Sequence, residues 1–174
     1  REVEKDVKRL EKIAARFSKI GSKPNLHENE LVGCIRNTMS YLKTRIPATI
    51  HLETNITDTD EIYLPLNVEL FEWVIENLCK NAVDAIGTNG TIRITIESDD
   101  KNVGIEISDT GKGISKSDFK NVFKPGYTTK NRGWGLGLSL AKRIVEEYHG
   151  GKIFVKSSEI GKGTTFRINL KKIQ

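Results

Sequence analysis

Two asparagines four residues apart, Asn77 and Asn81, interrupt an otherwise apolar helical run. Asparagine is a mediocre helix former, so a pair inside a helix calls for a reason. At 3.6 residues per turn the two stack on one side. They stand between an apolar stripe of Phe71, Ile75, Leu78, Ala82 and Ile86 and a side expected to carry Glu72, Trp73, Glu76 and Lys80. Such a shoulder is where a cleft wall would be. An amide carbonyl is a neutral hard oxygen donor, the kind Mg2+ takes beside water and nucleotide phosphates. The alternative is that both amides bond neighbouring backbone.

Asp109-Thr110-Gly111-Lys112-Gly113 closes a short alternating strand. A buried carboxylate accepts from an exocyclic amine, as adenine presents, and cannot pair with the carbonyl guanine has there. Gly111 and Gly113 would let the backbone approach a base. Taken alone, a strand-ending turn also explains the motif. Gly133-Trp134-Gly135-Leu136-Gly137 then opens a helix with Leu138, Ala141, Ile144, Val145 and Tyr148 on its apolar face. A helix N-terminus reached through glycines offers N–H groups and a partial positive charge to phosphates. Between the two glycine clusters lie Phe119, Phe123, Tyr127, Thr128, Thr129 and Lys130. The aromatics would anchor a flap, and Lys130 would reach a γ-phosphate; a solvent-facing loop is the alternative. A Walker G-x-x-x-x-G-K-[ST] loop, a strand running directly into G-x-G-x-x-G, and the H-R-D and D-F-G motifs of protein kinases are absent.

The elements that must hold these residues follow from periodicity. Residues Arg1 to Ile20 read as a helix with a narrow apolar seam, suited to pairing with another helix or to lying on its own domain. Glu28 to Arg45 reads as a second helix, Ala48 to Ile56 as a strand and Glu61 to Leu64 as a short strand before Pro65. Asn67 to Ile86 is the long helix, with Asn67 as N-cap. Hairpin strands follow at Thr91 to Ser98 and Val103 to Ser108, and again at Lys152 to Ser157 and Thr164 to Leu170. The order predicts an α+β two-layer sandwich, a mostly antiparallel sheet with helices on one face.

Composition narrows the class. At 174 residues the chain is one domain with an appendage, long enough to bury a core. The net charge of +5 is a modest excess, and no basic run or zinc-finger spacing argues for nucleic acid. Cys34 and Cys79 sit in apolar helical patterns without C-x-x-C spacing, as buried free thiols of a reducing compartment would. No apolar run reaches the roughly 20 residues of a membrane span. The first residue is Arg1 rather than Met, so the chain is read as part of a longer one.

Glu76-Asn77-x-x-x-Asn81-Ala82-x-x-Ala85 resembles the N box of sensor histidine kinases. Asp109-x-Gly111-x-Gly113 resembles their G1 box, and Phe119-x-x-x-Phe123-x-Pro125 with Tyr127-Thr128-Thr129-Lys130 their F box. Gly133-x-Gly135-Leu136-Gly137-Leu138 is similar to the G2 box, and Gly163-Thr164-Thr165-Phe166 to the closing strand. The likeness covers roughly Leu26 to Leu170, with four motifs in the family's order. It implies the Bergerat ATP-binding fold shared with gyrase B, Hsp90 and MutL. By position, Asn81 would bind Mg2+, Asn77 would sit by the phosphates, and Asp109 would hold the adenine amine with Thr164 supporting through water. The lid would close over ATP. Residues 1–22 would belong to the dimerisation and phosphoacceptor hairpin, and residues 23–174 to the catalytic domain. Implied partners are the phosphoacceptor helix of the same homodimer and a response regulator. The domain itself would be cytoplasmic, with any membrane attachment through segments outside this chain.

Two departures matter. Hydrolases of this fold place a water-activating glutamate at the position of Asn77, so the resemblance favours phosphotransfer, with Asn77 and Lys130 as its catalytic residues. The acceptor histidine is missing: His27 precedes Glu28, but Val32 stands where the family's proline would be, and His51 and His149 read as structural. Asp84 stands where many members have a lysine, whose phosphate contact would pass to Lys130 or Lys80. Rival readings are an ATPase that moves parts by hydrolysis and a degenerate nucleotide-sensing module.

Overall fold

The computed structural model describes residues 24–56, 61–131 and 133–173. The predicted helix over Arg1 to Ile20 lies outside them. Strand β1 (His27–Glu30) leads into helix α1 (Leu31–Lys43), followed by β2 (Ile50–Ile56) and β3 (Tyr63–Leu66). The long helix α2 (Val68–Ile86) precedes the hairpin β4 (Gly90–Ser98) and β5 (Asn102–Asp109). After two short 3-10 turns, Lys116–Asp118 and Asn121–Phe123, comes α3 (Gly137–Arg143), which continues as a π-helical turn over Ile144–Tyr148. The hairpin β6 (Lys152–Glu159) and β7 (Gly163–Lys171) closes the chain.

The main sheet has the order β2-β4-β5-β7-β6. Its pairs are antiparallel except β2 with β4, which runs parallel. A parallel pair needs a crossover, and β3 with α2 supplies it. The predicted α+β sandwich is the fold observed. One sheet face is apolar: Ile92, Ile94, Ile96, Val103, Ile105, Ile107, Ile168 and Leu170 are buried with the helices. The other face carries charge. Glu106 pairs with both Lys156 and Arg167, and Arg167 also reaches Glu97 at 3.3 Å. Burial pushes the Glu106 carboxyl up, but bonds from Lys156 and Arg167 outweigh it and hold it below the usual glutamate range.

Three expectations are corrected. Residues 28–30 are not the first turn of α1 but pair with β3, His27 opposite Leu66 and Glu30 opposite Tyr63. The helix starts at Leu31 because the Glu30 carboxylate caps it, accepting from Val32 N at 2.9 Å and Gly33 N at 2.5 Å. The short strand runs Tyr63–Leu66 and includes Pro65, which an edge strand tolerates. Trp73 and Glu76 are buried, not on an exposed side of α2. That helix packs against the sheet, α1 and α3 together, so more of its circumference is covered than one stripe predicts.

Asn67 does cap α2, its Oδ1 accepting from Leu70 N at 3.2 Å. Cys34 and Cys79 are buried free thiols, and burial, reinforced by nearby glutamates, pushes both up to about 12. His149 ties two helix ends together. Its Nδ1–H donates to Ile144 O at 2.8 Å, and its Nε2 accepts from Asn67 N at 3.1 Å. Accepting at Nε2 requires the neutral ring, and burial lowers its pKa below the ordinary 6.5 despite the opposing bond to Ile144, which the charged ring could also donate. As pH falls below 6.5 the unfolded chain therefore takes up this proton first. Stability should be full above that pH and decline beneath it until the folded ring itself protonates. Urea midpoints at pH 7.5 and 5.5 measure the decline, and His149→Gln should shrink it.

Candidate functional site

The helix α2 supplies one wall of a cleft. Trp73, Asn77, Asn81 and Asp84 recur at steps of three and four, so they share a side. All four line a cavity of ≈ 760 Å³. The far walls are the glycine-bounded turn after β5, the lid, and the start of α3. That volume lies within the usual range for small-ligand sites.

Asn77 faces the first residue of α3. A Cβ built on Gly137 would lie 2.5 Å from Asn77 Oδ1 and 3.0 Å from Nδ2, so only glycine admits this approach. Asn77 Nδ2 is buried and has no hydrogen-bond partner among the described residues. An orphaned buried donor costs about 1–3 kcal/mol. It is a group waiting for an acceptor. No side chain caps the first turn of α3 either. Its N–H groups and the Asn77 amide thus present donors to the same end of the cavity. Asn81 Oδ1 accepts from Lys130 Nζ at 3.1 Å, and Lys130 also pairs with Asp84.

The other end is built by β5 and β7. Asp109, the last residue of β5, stands opposite Thr164 in the ladder. Burial pushes its carboxyl above the ordinary value, and bonds from the Gly111 and Thr164 backbone only partly offset this. The Gly111 N–H lies 2.8 Å from Asp109 Oδ1. Thr164 is buried, and its hydroxyl bonds Ser158 Oγ at 2.8 Å. Ser158 Oγ also accepts from Ile114 N at 2.7 Å, which fixes the turn against β6. A partly buried carboxylate thus faces the cavity with acceptor capacity left over.

The lid is anchored at one end and tethered at the other. Val122 and Phe123 are buried, and Phe123 meets Phe166 edge-on at 6.1 Å. Phe119 is partly buried against the same core, and the Tyr127 hydroxyl bonds Asp118. Beyond Tyr127 the tethers are polar: Lys112 Nζ donates to Thr129 Oγ1 at 3.0 Å, and Lys130 N to Thr128 Oγ1 at 3.1 Å.

The cavity therefore gathers Asn77, Asn81, Asp109, Gly113, Tyr127, Thr128, Thr129, Lys130 and Thr164, with Gly133, Gly135, Leu136, Gly137 and Leu138 from the second glycine cluster. Gly111 does not line it. A Cβ there would fall 2.6 Å from the Ala85 backbone, so Gly111 lets the turn pack on the end of α2, where Lys112 N bonds Ala85 O at 3.0 Å. Sequence reasoning did not place Trp73 or Lys112 in the site, marked Asp84 only as the position of a missing phosphate contact, and did not foresee Ser158 behind Thr164. The helical spacing of Trp73 and Asp84 from the asparagines was the signal for those two. Ser158 gave none, being one hydroxyl among alternating strand residues.

A donor-rich end and a carboxylate end separated by one cavity fit a polyanion joined to an amine-bearing base. A sequence profile described as histidine kinase-, DNA gyrase B- and HSP90-like ATPase matches residues 67–174. The chain belongs to that family. The chain is 35% identical over 171 residues to sporulation kinase E of Bacillus subtilis, a match covering 95% of this chain and 22% of that protein. It is 45% identical over 95 residues to the sensor histidine kinase ZraS of Escherichia coli, covering 55% of this chain and 20% of that one. The chain thus spans about a fifth of these relatives. Among solved structures, the nucleotide-free catalytic domain of histidine kinase ThkA superposes with a TM-score of 0.77 at 29% identity, covering 86% of this chain and 97% of that one. The same kinase in complex with response regulator TrrA superposes at 0.78 and 27% identity, covering 98% of this chain and 49% of that one. The chain has the fold of histidine kinase catalytic domains. Within the described residues, no helix is long and apolar enough to cross a membrane.

Proposed function

We propose that this domain binds ATP with Mg2+ and presents the γ-phosphate to a histidine on a separate helix, as the catalytic domain of a sensor histidine kinase. The observation that carries the reading is the pairing of the Asp109 carboxylate at one end of the cavity with the orphaned Asn77 amide at the other. Asp109 accepts from the adenine amine, and Thr164 supports it. Asn77 Nδ2, the start of α3 and Lys130 donate to the phosphates. Asn81 offers its amide oxygen to the metal, a donor set that fits a hard divalent cation. When bound, that cation neutralises phosphate charge. Asn77 is an amide and takes no proton from water, so the site lacks a hydrolytic base at that position. Positioning and charge neutralisation account for the transfer.

Residues 1–22 then form part of the dimerisation and phosphoacceptor hairpin of a homodimer, and the phosphoryl group passes from its histidine to a response regulator. The domain works in the cytoplasm, whatever anchors the full-length protein. A separately made helical hairpin carrying the acceptor histidine, incubated with this chain and radiolabelled ATP, tests the reading. Label should appear on the hairpin only when the chain is present and fall at least about 100-fold with Asn81→Ala. Steady release of free phosphate by the chain alone, abolished at Asn77, would show hydrolysis instead.

A further inference from the structure

Lys130 occupies a cation seat. Its ammonium is shared between Asn81 Oδ1, at 3.1 Å, and the Asp84 carboxylate. Asn81 and Asp84 are three residues apart on α2, so one oxygen of each faces the same spot. The seat thus combines a neutral hard oxygen with a negative one. The stretch carrying Lys130 has no apolar anchor of its own, because Thr128, Thr129 and Lys130 are exposed. Apart from the bond of Lys112 to Thr129 and the local turn bond to Thr128, what ties this end of the lid to α2 is the Lys130 ammonium.

We propose that Asp84 and Lys130 form a metal-exchanged latch: Lys130 holds the lid against α2 in the empty domain and gives up its place to the divalent cation arriving with the nucleotide. The proposal rests on reading the cavity as a metal-nucleotide site. Charge drives the exchange. In the empty domain Asp84 and Lys130 neutralise each other. A polyphosphate entering beside Asp84 with no cation would be repelled unless Lys130 stayed where it is. With a divalent cation on the seat, Asp84 is over-neutralised and Lys130 swings free to the phosphates. Both positive groups then act on the polyanion. Asp84 is a positioning residue here: it decides which cation sits on Asn81. Binding of metal and opening of the latch are thermodynamically linked, so loosening either must alter the other.

The pair is solvent-exposed, at 39% and 52% for the two side chains, so the latch is weak and must be read by sensitive means. Four proteins are compared: the 174-residue chain, Asp84→Asn, Lys130→Met and the double variant. Without nucleotide, amide exchange of residues 127–131 should be about two- to fivefold faster in each single variant, and the double should be no faster than either. Titrations with ADP, with Mg2+ and then with EDTA, give the second readout. The affinity gained from Mg2+ should shrink about tenfold in Asp84→Asn, while its affinity in EDTA should equal or exceed that of the unaltered chain. Unchanged exchange in Asp84→Asn, or a Mg2+ gain equal to that of the unaltered chain, overturns the latch. If the unaltered chain binds no nucleotide, the nucleotide reading falls, and the exchange data still decide whether Lys130 latches the lid.

Discussion

Asp109→Asn is expected to weaken adenine-nucleotide binding by about 10- to 100-fold while leaving the fold at least as stable. Asp109 has two acceptor oxygens, and Oδ1 is already engaged by the Gly111 N–H. An asparagine has one oxygen, so it must desert either the turn or the base, and its amide would point a donor at a donor. The effect on stability has the opposite sense. Burial raises the folded carboxyl above its ordinary 3.8, so the stabilising contribution exists below that pH and is lost as pH rises through the folded value. At neutral pH the ionised group is a net burden on the empty fold, and asparagine removes it. Nucleotide binding should likewise weaken on acidification, as the protonated carboxyl becomes a donor. Calorimetric titration with ATP and a thermal melt of the same sample measure both effects.

The second large effect is at the turn between β6 and β7. Gly161 and Gly163 both adopt backbone angles that side chains avoid, φ +81° and +128°. A Cβ on Gly161 would meet open space. On Gly163 it would fall 1.8 Å from the Asp109 carbonyl oxygen. Gly161→Ala should cost about 1 kcal/mol, the strain of its backbone angle. Gly163→Ala should cost about 3–4 kcal/mol, strain and backbone clash together, and should also lower nucleotide affinity by displacing Asp109. Urea unfolding of the two variants side by side decides it; equal losses would mean that the close approach of the strands is not felt.

Local chemistry made much of this protein readable. Asn67 announced the start of α2, and the hairpin turn at Asp99 is held as its type suggests, with Asp99 Oδ1 accepting from Lys101 N and Asn102 N, each at 2.7 Å. The glycine clusters and the paired asparagines pointed to the pocket walls. Features set by distant partners were not readable. Residues 28–30 look helical by composition, and only pairing with a segment 33 to 37 positions away makes them a strand. The parallel contact of β2 with β4 has no local signature. Trp73 and Glu76 are buried because several elements surround α2, whereas one apolar stripe records a single packing surface. The contact of Lys130 with Asp84 spans 46 residues and depends on how the lid folds back.

The central claim is that one cavity, walled by α2, the turn after β5, the lid and the start of α3, is the ATP site. A nuclear magnetic resonance titration of the chain with ATP and Mg2+ tests it most directly. The account predicts saturable shifts at Asn77, Asn81, Gly111, Gly113, Thr164 and Gly133 to Leu138, a large change at the Asn77 side-chain amide, and little response to GTP. Shifts confined to the charged face of the sheet around Glu106 and Arg167, or an equal response to GTP, would contradict it.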